Sequence, residues 1–374
     1  MRIRRAGPIG LDIGEFAVRA VQLDGTHGGS SRALLASAAI PRAPGGAAGV
    51  LSIEEARRLV RVLTRQGFVG ADVVVAAPGS RVHQHALELP PRSSNAPLAR
   101  IARAELQRQT QMNLGAGEMA MWDMPSPARA GEHCYAMGVA LSHEHAEELI
   151  APLEHAGLCV RAIDVAGAAL VRAVADLMDD RSAATVHGAV VDLGHSGGTI
   201  HVVVGGALVY SRQMNELGLG AALIAACKAS GVNLSEASDG LMRGVPGVEL
   251  PASACARVVG VLYEELAVSL EYAAAQYGLN GPARVVLVGG GTAQRELHDF
   301  ARSRVAELAE VQALSAHGLG ADWALALGLA SHPLDAGRRR AGREPEQAAT
   351  NTDPELAVSA SGQTARDESE ESRS

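Results

Sequence analysis

Val190-Val191-Asp192-Leu193-Gly194-His195-Ser196-Gly197-Gly198-Thr199 is an apolar run that ends in Asp, followed by glycines at three of the next six positions. Glycine after a strand lets backbone N–H groups point at an anion without interference from Cβ. A carboxylate at the strand's C-terminal end lies where ligands collect in open α/β sheets. The pattern occurs earlier as Gly10-Leu11-Asp12-Ile13-Gly14, so the two Asp residues lie 180 positions apart. A third apolar run, Val285-Val286-Leu287-Val288, stops at Gly289-Gly290-Gly291-Thr292. Two Asp-x-Gly turns facing each other can hold phosphates and a hydrated Mg²⁺, which prefers few direct protein ligands. The third turn lets a flat nucleoside approach the backbone.

Outward from these turns the strand, turn, strand scheme repeats. Ile9–Ile13 and Ala17–Leu23 are predicted strands, Asp24-Gly25 signals a hairpin, and Leu34–Ile40 is a third strand. Ser52 and Glu55 form a capping box for a helix with Ala56, Leu59, Val60 and Leu63 inward. Val73–Ala77 is a buried strand. In the second half Ala189–Asp192, Thr199–Val204 and Ala207–Arg212 follow the same order. A long helix over Ser253–Tyr277 carries Val258, Leu262, Leu266 and Leu270 at i+4 steps. Arg284–Val288 is a strand, Thr292 is placed to cap the next helix, and Leu297, Phe300 and Ala301 face inward. A long-range duplication, not a short-period solenoid, accounts for this layout.

Composition narrows the function. The chain has 374 residues, a net charge of -8, 47% hydrophobic and 20% charged residues. An acidic balance argues against nucleic acid, whose phosphates need a basic face. Lys228 is the only lysine, which fits a GC-rich genome. Cys134, Cys159, Cys227 and Cys255 are widely spaced, as suits reduced thiols. No stretch of 18 apolar residues appears, and the basic start is not followed by the apolar core of a signal peptide. From about Asp335 onward the chain is polar and poor in large apolar residues, the composition of a disordered tail.

The three segments resemble the phosphate-1, phosphate-2 and adenosine motifs of the actin-like ATPase superfamily. Within it the chain resembles the PilM family of type IV pilus assembly proteins, related to FtsA. Supporting stretches are Ala77-Pro78-Gly79-Ser80, Ala156-Gly157-Leu158 leading to Ile163-Asp164-Val165, and the closing Ala326-Leu327-Gly328-Leu329-Ala330. The resemblance implies an α/β actin-like ATPase fold of two RNase H-like lobes. The expected divisions are 1–90 with 141–175 for the first lobe, 91–140 for an inserted subdomain, 176–334 for the second lobe and 335–374 for the tail.

It further implies ATP and Mg²⁺ between the lobes. Asp12 and Asp192 are then the metal-side carboxylates. Gly14, Arg19, Gly194, Ser196, Gly197, Gly198, Thr199, Gly289, Gly290 and Gly291 serve the nucleotide, and Asp164 the attacking water. The implied partner is the cytoplasmic tail of the inner-membrane protein PilN, docked between the first lobe and the insert, with other pilus membrane and motor components around it. The implied location is the cytoplasm, at the inner face of the membrane through that partner, with homo-oligomers a further expectation.

Two departures from the family pattern stand out. Relatives follow the first Asp-x-Gly with small hydroxyl residues and a lysine; here the turn is Gly14-Glu15-Phe16-Ala17-Val18-Arg19. The helix whose Glu and Lys hold ribose and adenine is replaced by Ser235–Arg243, with Asp239 and Arg243 as substitutes. Binding without efficient hydrolysis is therefore the expectation. The alternatives are a pseudo-ATPase scaffold and a small-molecule kinase of the same superfamily. His83-x-His85 and His143-Glu144-His145 suggest metal pairs, but solvent-facing roles explain both.

Overall fold

The computed structural model describes residues 6–25, 32–43, 46–129, 131–178, 187–231, 233, 250 and 252–334. The first sheet has the order β3-β2-β1-β4-β8, from β1 (Ala6–Ile13), β2 (Ala17–Asp24), β3 (Leu34–Pro41), β4 (Asp72–Ala77) and β8 (Cys159–Val165). Its first three strands are antiparallel, whereas β1–β4 and β4–β8 run parallel. The second sheet repeats this. β9 (His187–Leu193), β10 (Gly198–Val204), β11 (Ala207–Met214), β12 (Arg284–Val288) and β13 (Glu310–Gln312) lie in the order β11-β10-β9-β12-β13. Again the three leading strands are antiparallel and the two added ones parallel. The duplication legible in the turns thus extends to every strand of both sheets.

A three-stranded antiparallel sheet is inserted within the first repeat, between β4 and β8 in sequence. It joins β5 (His83–Leu89), β6 (Gly117–Asp123) and β7 (Cys134–Ser142) in the order β5-β7-β6, with α2 (Leu98–Thr110) packed against it through Ala102 and Leu106. This sheet takes in His83–Leu89, ahead of residue 91. His83 and His85 lie on β5, and among the described residues no group of three metal-ligating side chains forms around them.

Helix α1 (Ile53–Arg65) starts on the capping box: Ser52 Oγ accepts from the Glu55 N–H at 3.2 Å, and the Glu55 carboxylate accepts from the Ser52 N–H at 2.9 Å. It buries Ala56, Leu59 and Leu63 against β1 and β4. Helix α3 (His143–His155) buries Leu149 and Leu153. Two short helices, α4 (Ala166–Ala173) and α5 (Ala175–Met178), lead toward the second sheet. There α6 (Leu219–Ser230) and the long α7 (Ala252–Tyr277) cover one face, and Val258, Leu262, Leu266 and Leu270 form the buried stripe of α7. Each fully buried Leu removes enough apolar surface from water to contribute roughly 1.5–3 kcal/mol.

Two expectations need correcting. Thr292 does not cap a helix: its hydroxyl donates to the Gly289 carbonyl at 2.7 Å within a short 3-10 turn, and α8 (Arg295–Val305) begins after Gln294. Leu297 and Ala301 of α8 are buried, but Phe300 is exposed, because the helix packs on a stripe too narrow to reach it.

The last described helix, α9 (Ala324–Ala330), leaves the second sheet and packs on β1 and α4. The fit leaves room only for glycine. A Cβ on Gly10 would lie 2.2 Å from the Ala326 carbonyl oxygen, and one on Gly328 would lie 1.9 Å from that of Ala169. The stretch Ala326–Ala330 is therefore a seam between the repeats. Among the described residues no helix is long and apolar enough to cross a membrane.

Candidate functional site

Each Asp turn is a hairpin of fixed register. Asp12 sits opposite Arg19 across β1–β2, and Asp192 sits opposite Thr199 across β9–β10. Parallel pairing of β12 sets Val288 beside Asp192, which delivers the Gly289–Gly291 turn to the same edge. The three glycine segments meet around one cleft of about 450 Å³, within the usual size range of small-molecule sites, about 300–1,000 Å³.

The structure brings to this cleft Asp12, Gly14, Arg19, Asp192, Gly194, Ser196, Gly197, Thr199 and Gly289–Gly291. Gly198 sits behind the loop, against Leu217 and the Asp192 carbonyl. Asp164 does not reach the cleft. Its carboxylate is paired with Arg172 and accepts from the Val165 N–H at 2.8 Å; strand alternation sends Val165, not Asp164, to the cleft wall. Asp239 and Arg243 lie outside the described residues.

Burial raises the Asp12 carboxyl to about 6, with Arg19 opposing the rise and Asp322 adding to it. Burial raises Asp192 to about 7; Asp12 adds to that rise and Arg19 opposes it. Both carboxyls are raised chiefly by burial and line the same cleft, and a cation there would relieve both. That chemistry, with room for retained waters, fits Mg²⁺. Nearby, the buried Nδ1 of His195 has no hydrogen-bond partner, a polar atom with capacity to spare in the same loop.

Arg19 is already engaged: its Nε donates to Asp322 at 3.1 Å. The first turn is held from behind by Arg42, which donates to the Gly14 carbonyl at 2.6 Å and to Glu55 at 2.9 Å. This pairing, together with the capping bonds, holds the Glu55 carboxyl below its ordinary range. The second turn is held by backbone instead. The N–H groups of Leu219 and Gly220, at the start of α6, donate to the Gly194 and His195 carbonyls at 2.9 and 2.8 Å.

The two turns also touch each other. Ser196 Oγ donates to the Glu15 carboxylate, His195 Nε2 is 3.8 Å from it, and the Phe16 and His195 rings meet edge-on with centroids 4.3 Å apart. Burial lowers the His195 imidazole from its ordinary value, and Glu15 opposes that. Further along the cleft lie Gln84, Ser211 and His201; the Ser211 hydroxyl is 2.9 Å from His201 Nδ1 and accepts from Gln84 at 3.3 Å. Asp322 and this polar chain have no motif of their own in the sequence, and His195, inside the Asp192 segment, carries no signal that marks its contact with the first turn. The only signal for Asp322 is its place just before the closing Ala326–Ala330 stretch.

A duplicated five-stranded mixed sheet with its cleft at the paired turns defines the actin-like ATPase fold. Residues 10–309 match the family model of the type IV pilus assembly protein PilM, and the chain belongs to that family. The solved PilM-PilN type IV pilus biogenesis complex is similar at 20% identity and a TM-score of 0.66, covering 88% of this chain and 98% of that one. The ethanolamine utilization protein EutJ from Carboxydothermus hydrogenoformans is similar at 15% identity and a TM-score of 0.51, covering 87% and 89%. No curated protein sequence matches the chain.

Proposed function

We propose that this chain is a cytoplasmic assembly protein of a type IV pilus or related secretion machine. It docks the cytoplasmic tail of a PilN-like inner-membrane protein and so works at the inner face of the membrane. The observation that carries this reading is the likeness to the PilM-PilN complex over nearly the full length of both chains. The tail is assigned to the junction of the first sheet and the β5-β7-β6 sheet.

The cleft is assigned to an adenine nucleotide. Asp12 and Asp192 would hold the water shell of Mg²⁺, which neutralises phosphate charge when bound. Ser196 and the backbone of Gly197 would donate to phosphate, and Gly289–Gly291 would receive the nucleoside. The reading is of binding and not turnover, since Asp164 is tied to Arg172 outside the cleft. A scaffold without nucleotide chemistry is the second reading, favoured by the Glu15–Ser196 contact.

Calorimetry with synthetic tail peptides of PilN-like proteins tests the partner. Saturable binding of one peptide per chain is expected. Absence of binding by every such tail would remove the pilus reading while leaving the fold intact.

A further inference from the structure

The cleft is poor in groups that could hold a triphosphate. Its described lining carries four carboxylates, Asp12, Glu15, Asp192 and Asp322, against one guanidinium, Arg19, which is spent on Asp322. The N–H groups of Gly14 and Gly194, first after each Asp-x pair, are also used: they donate to Ala17 and Gly197 within their own turns, both at 3.0 Å. The hydroxyl of Ser196 is the hydroxyl donor of the second loop, and the Glu15 carboxylate already accepts from it. Phe16 offers no donor and fills the adjoining space against His195.

We infer that Glu15 stands where a terminal phosphate would be held, and that it sets the cleft to favour adenosine and short-phosphate nucleotides over ATP–Mg. This rests on the reading that the cleft takes a nucleotide. A carboxylate and a phosphate oxygen are alike in charge and in accepting from a hydroxyl. The internal carboxylate is tethered, so it competes for Ser196 at high effective concentration. A terminal phosphate entering the same place displaces it and then faces it at close range, where like charges repel strongly. A nucleotide with a shorter phosphate chain leaves the Glu15–Ser196 contact in place. Phe16 acts with Glu15: it meets the His195 ring edge-on, so the second loop cannot turn to present other donors without losing the aromatic contact. The substitution of Glu15 and Phe16 for small hydroxyl residues is thereby one coherent change, which trades the phosphate end of the site for a contact between the lobes.

Calorimetry on the full chain with adenosine, ADP–Mg and ATP–Mg tests this in the wild type, Glu15→Ser and Glu15→Gln. The wild type is expected to bind ADP–Mg more tightly than ATP–Mg. Glu15→Ser should tighten ATP–Mg by about tenfold or more, the equivalent of about 1.4 kcal/mol, while adenosine stays unchanged. Glu15→Gln, which keeps an acceptor for Ser196 but removes the charge, should recover much of that gain. It also guards against a folding defect in the serine variant. ATP–Mg binding as tight as ADP–Mg in the wild type would overturn the inference. So would unchanged ATP–Mg affinity in both variants when adenosine binds. If neither adenosine nor any nucleotide binds to wild type or variants, the nucleotide reading itself fails, and the specificity role falls with it.

Discussion

In the first Asp turn Asp12 faces Arg19 across the hairpin, and the Gly14 N–H closes the loop on Ala17. In the second, Asp192 faces Thr199 and the Gly194 N–H closes the loop on Gly197 at the same distance. The loops have equal length, so positions correspond one to one: Glu15 with His195, Phe16 with Ser196, Val18 with Gly198. The backbone plan is shared and the side chains are not. The second turn keeps the small and hydroxyl residues that suit an anion, and it is held by the backbone of α6. The first is held by the Arg42 side chain, and it presents a carboxylate and a ring to its counterpart. The same backbone hydrogen bond closes both turns, while their supports and the side chains they present differ.

The largest expected effect tests the paired carboxyls. A carboxyl raised from 3.8 to about 7 keeps its proton in the folded protein after the unfolded chain has lost it. Stability from this group is thus fullest at about pH 4 and declines as pH rises through about 7. Asp192→Asn removes the decline. Without metal or nucleotide, the variant should match wild type near pH 4 and exceed it at pH 8 by roughly 4 kcal/mol, measured by urea unfolding. Equal pH profiles would show that the second carboxyl is not strained.

A second test exchanges corresponding residues. Val18 is buried in the first repeat, whereas a Cβ on Gly198 would lie 2.6 Å from Leu217 Cβ. Gly198→Val should cost roughly 2 kcal/mol by overpacking, read as a lower denaturant midpoint. No loss would mean that the second turn tolerates the first turn's side chain. The smallest effect is expected from Phe16→Ala. Loss of the edge-on contact with His195 should destabilise by about 1 kcal/mol. A hydrogen-exchange comparison should also show faster opening of the His195–Gly197 loop than in wild type.

Much of the fold was legible because its signals are local. Asp-x-Gly after an apolar run, alternation in the following strand, the Ser52–Glu55 box and the i+4 stripe of α7 each depend on near neighbours. The convergence of the glycine turns, Asp12 and Asp192 on one cleft was legible for the same reason. What escaped is tertiary. Asp322 reaches Arg19 across 303 positions, and Ser196 reaches Glu15 across 181. The sequence showed that Glu15 and Phe16 were unusual, but not that they had a common partner loop. Strand alternation turns Val165 and not Asp164 to the cleft, since a shift of one residue exchanges the two faces of a strand. Thr292 failed as a cap because its hydroxyl found a carbonyl three residues back instead of a helix N–H.

Helix α9 also dictates an order of assembly. It seals β1 and α4, yet Gly10 is synthesised more than three hundred residues before Ala326. At roughly 5–20 residues per second, the nascent first repeat waits on the order of 15–60 s for its cover. During that interval the apolar face meant for α9 stays bare on the ribosome, a natural point for chaperone attention. A message truncated before the closing helix therefore leaves the earliest strand made without the last helix that covers it.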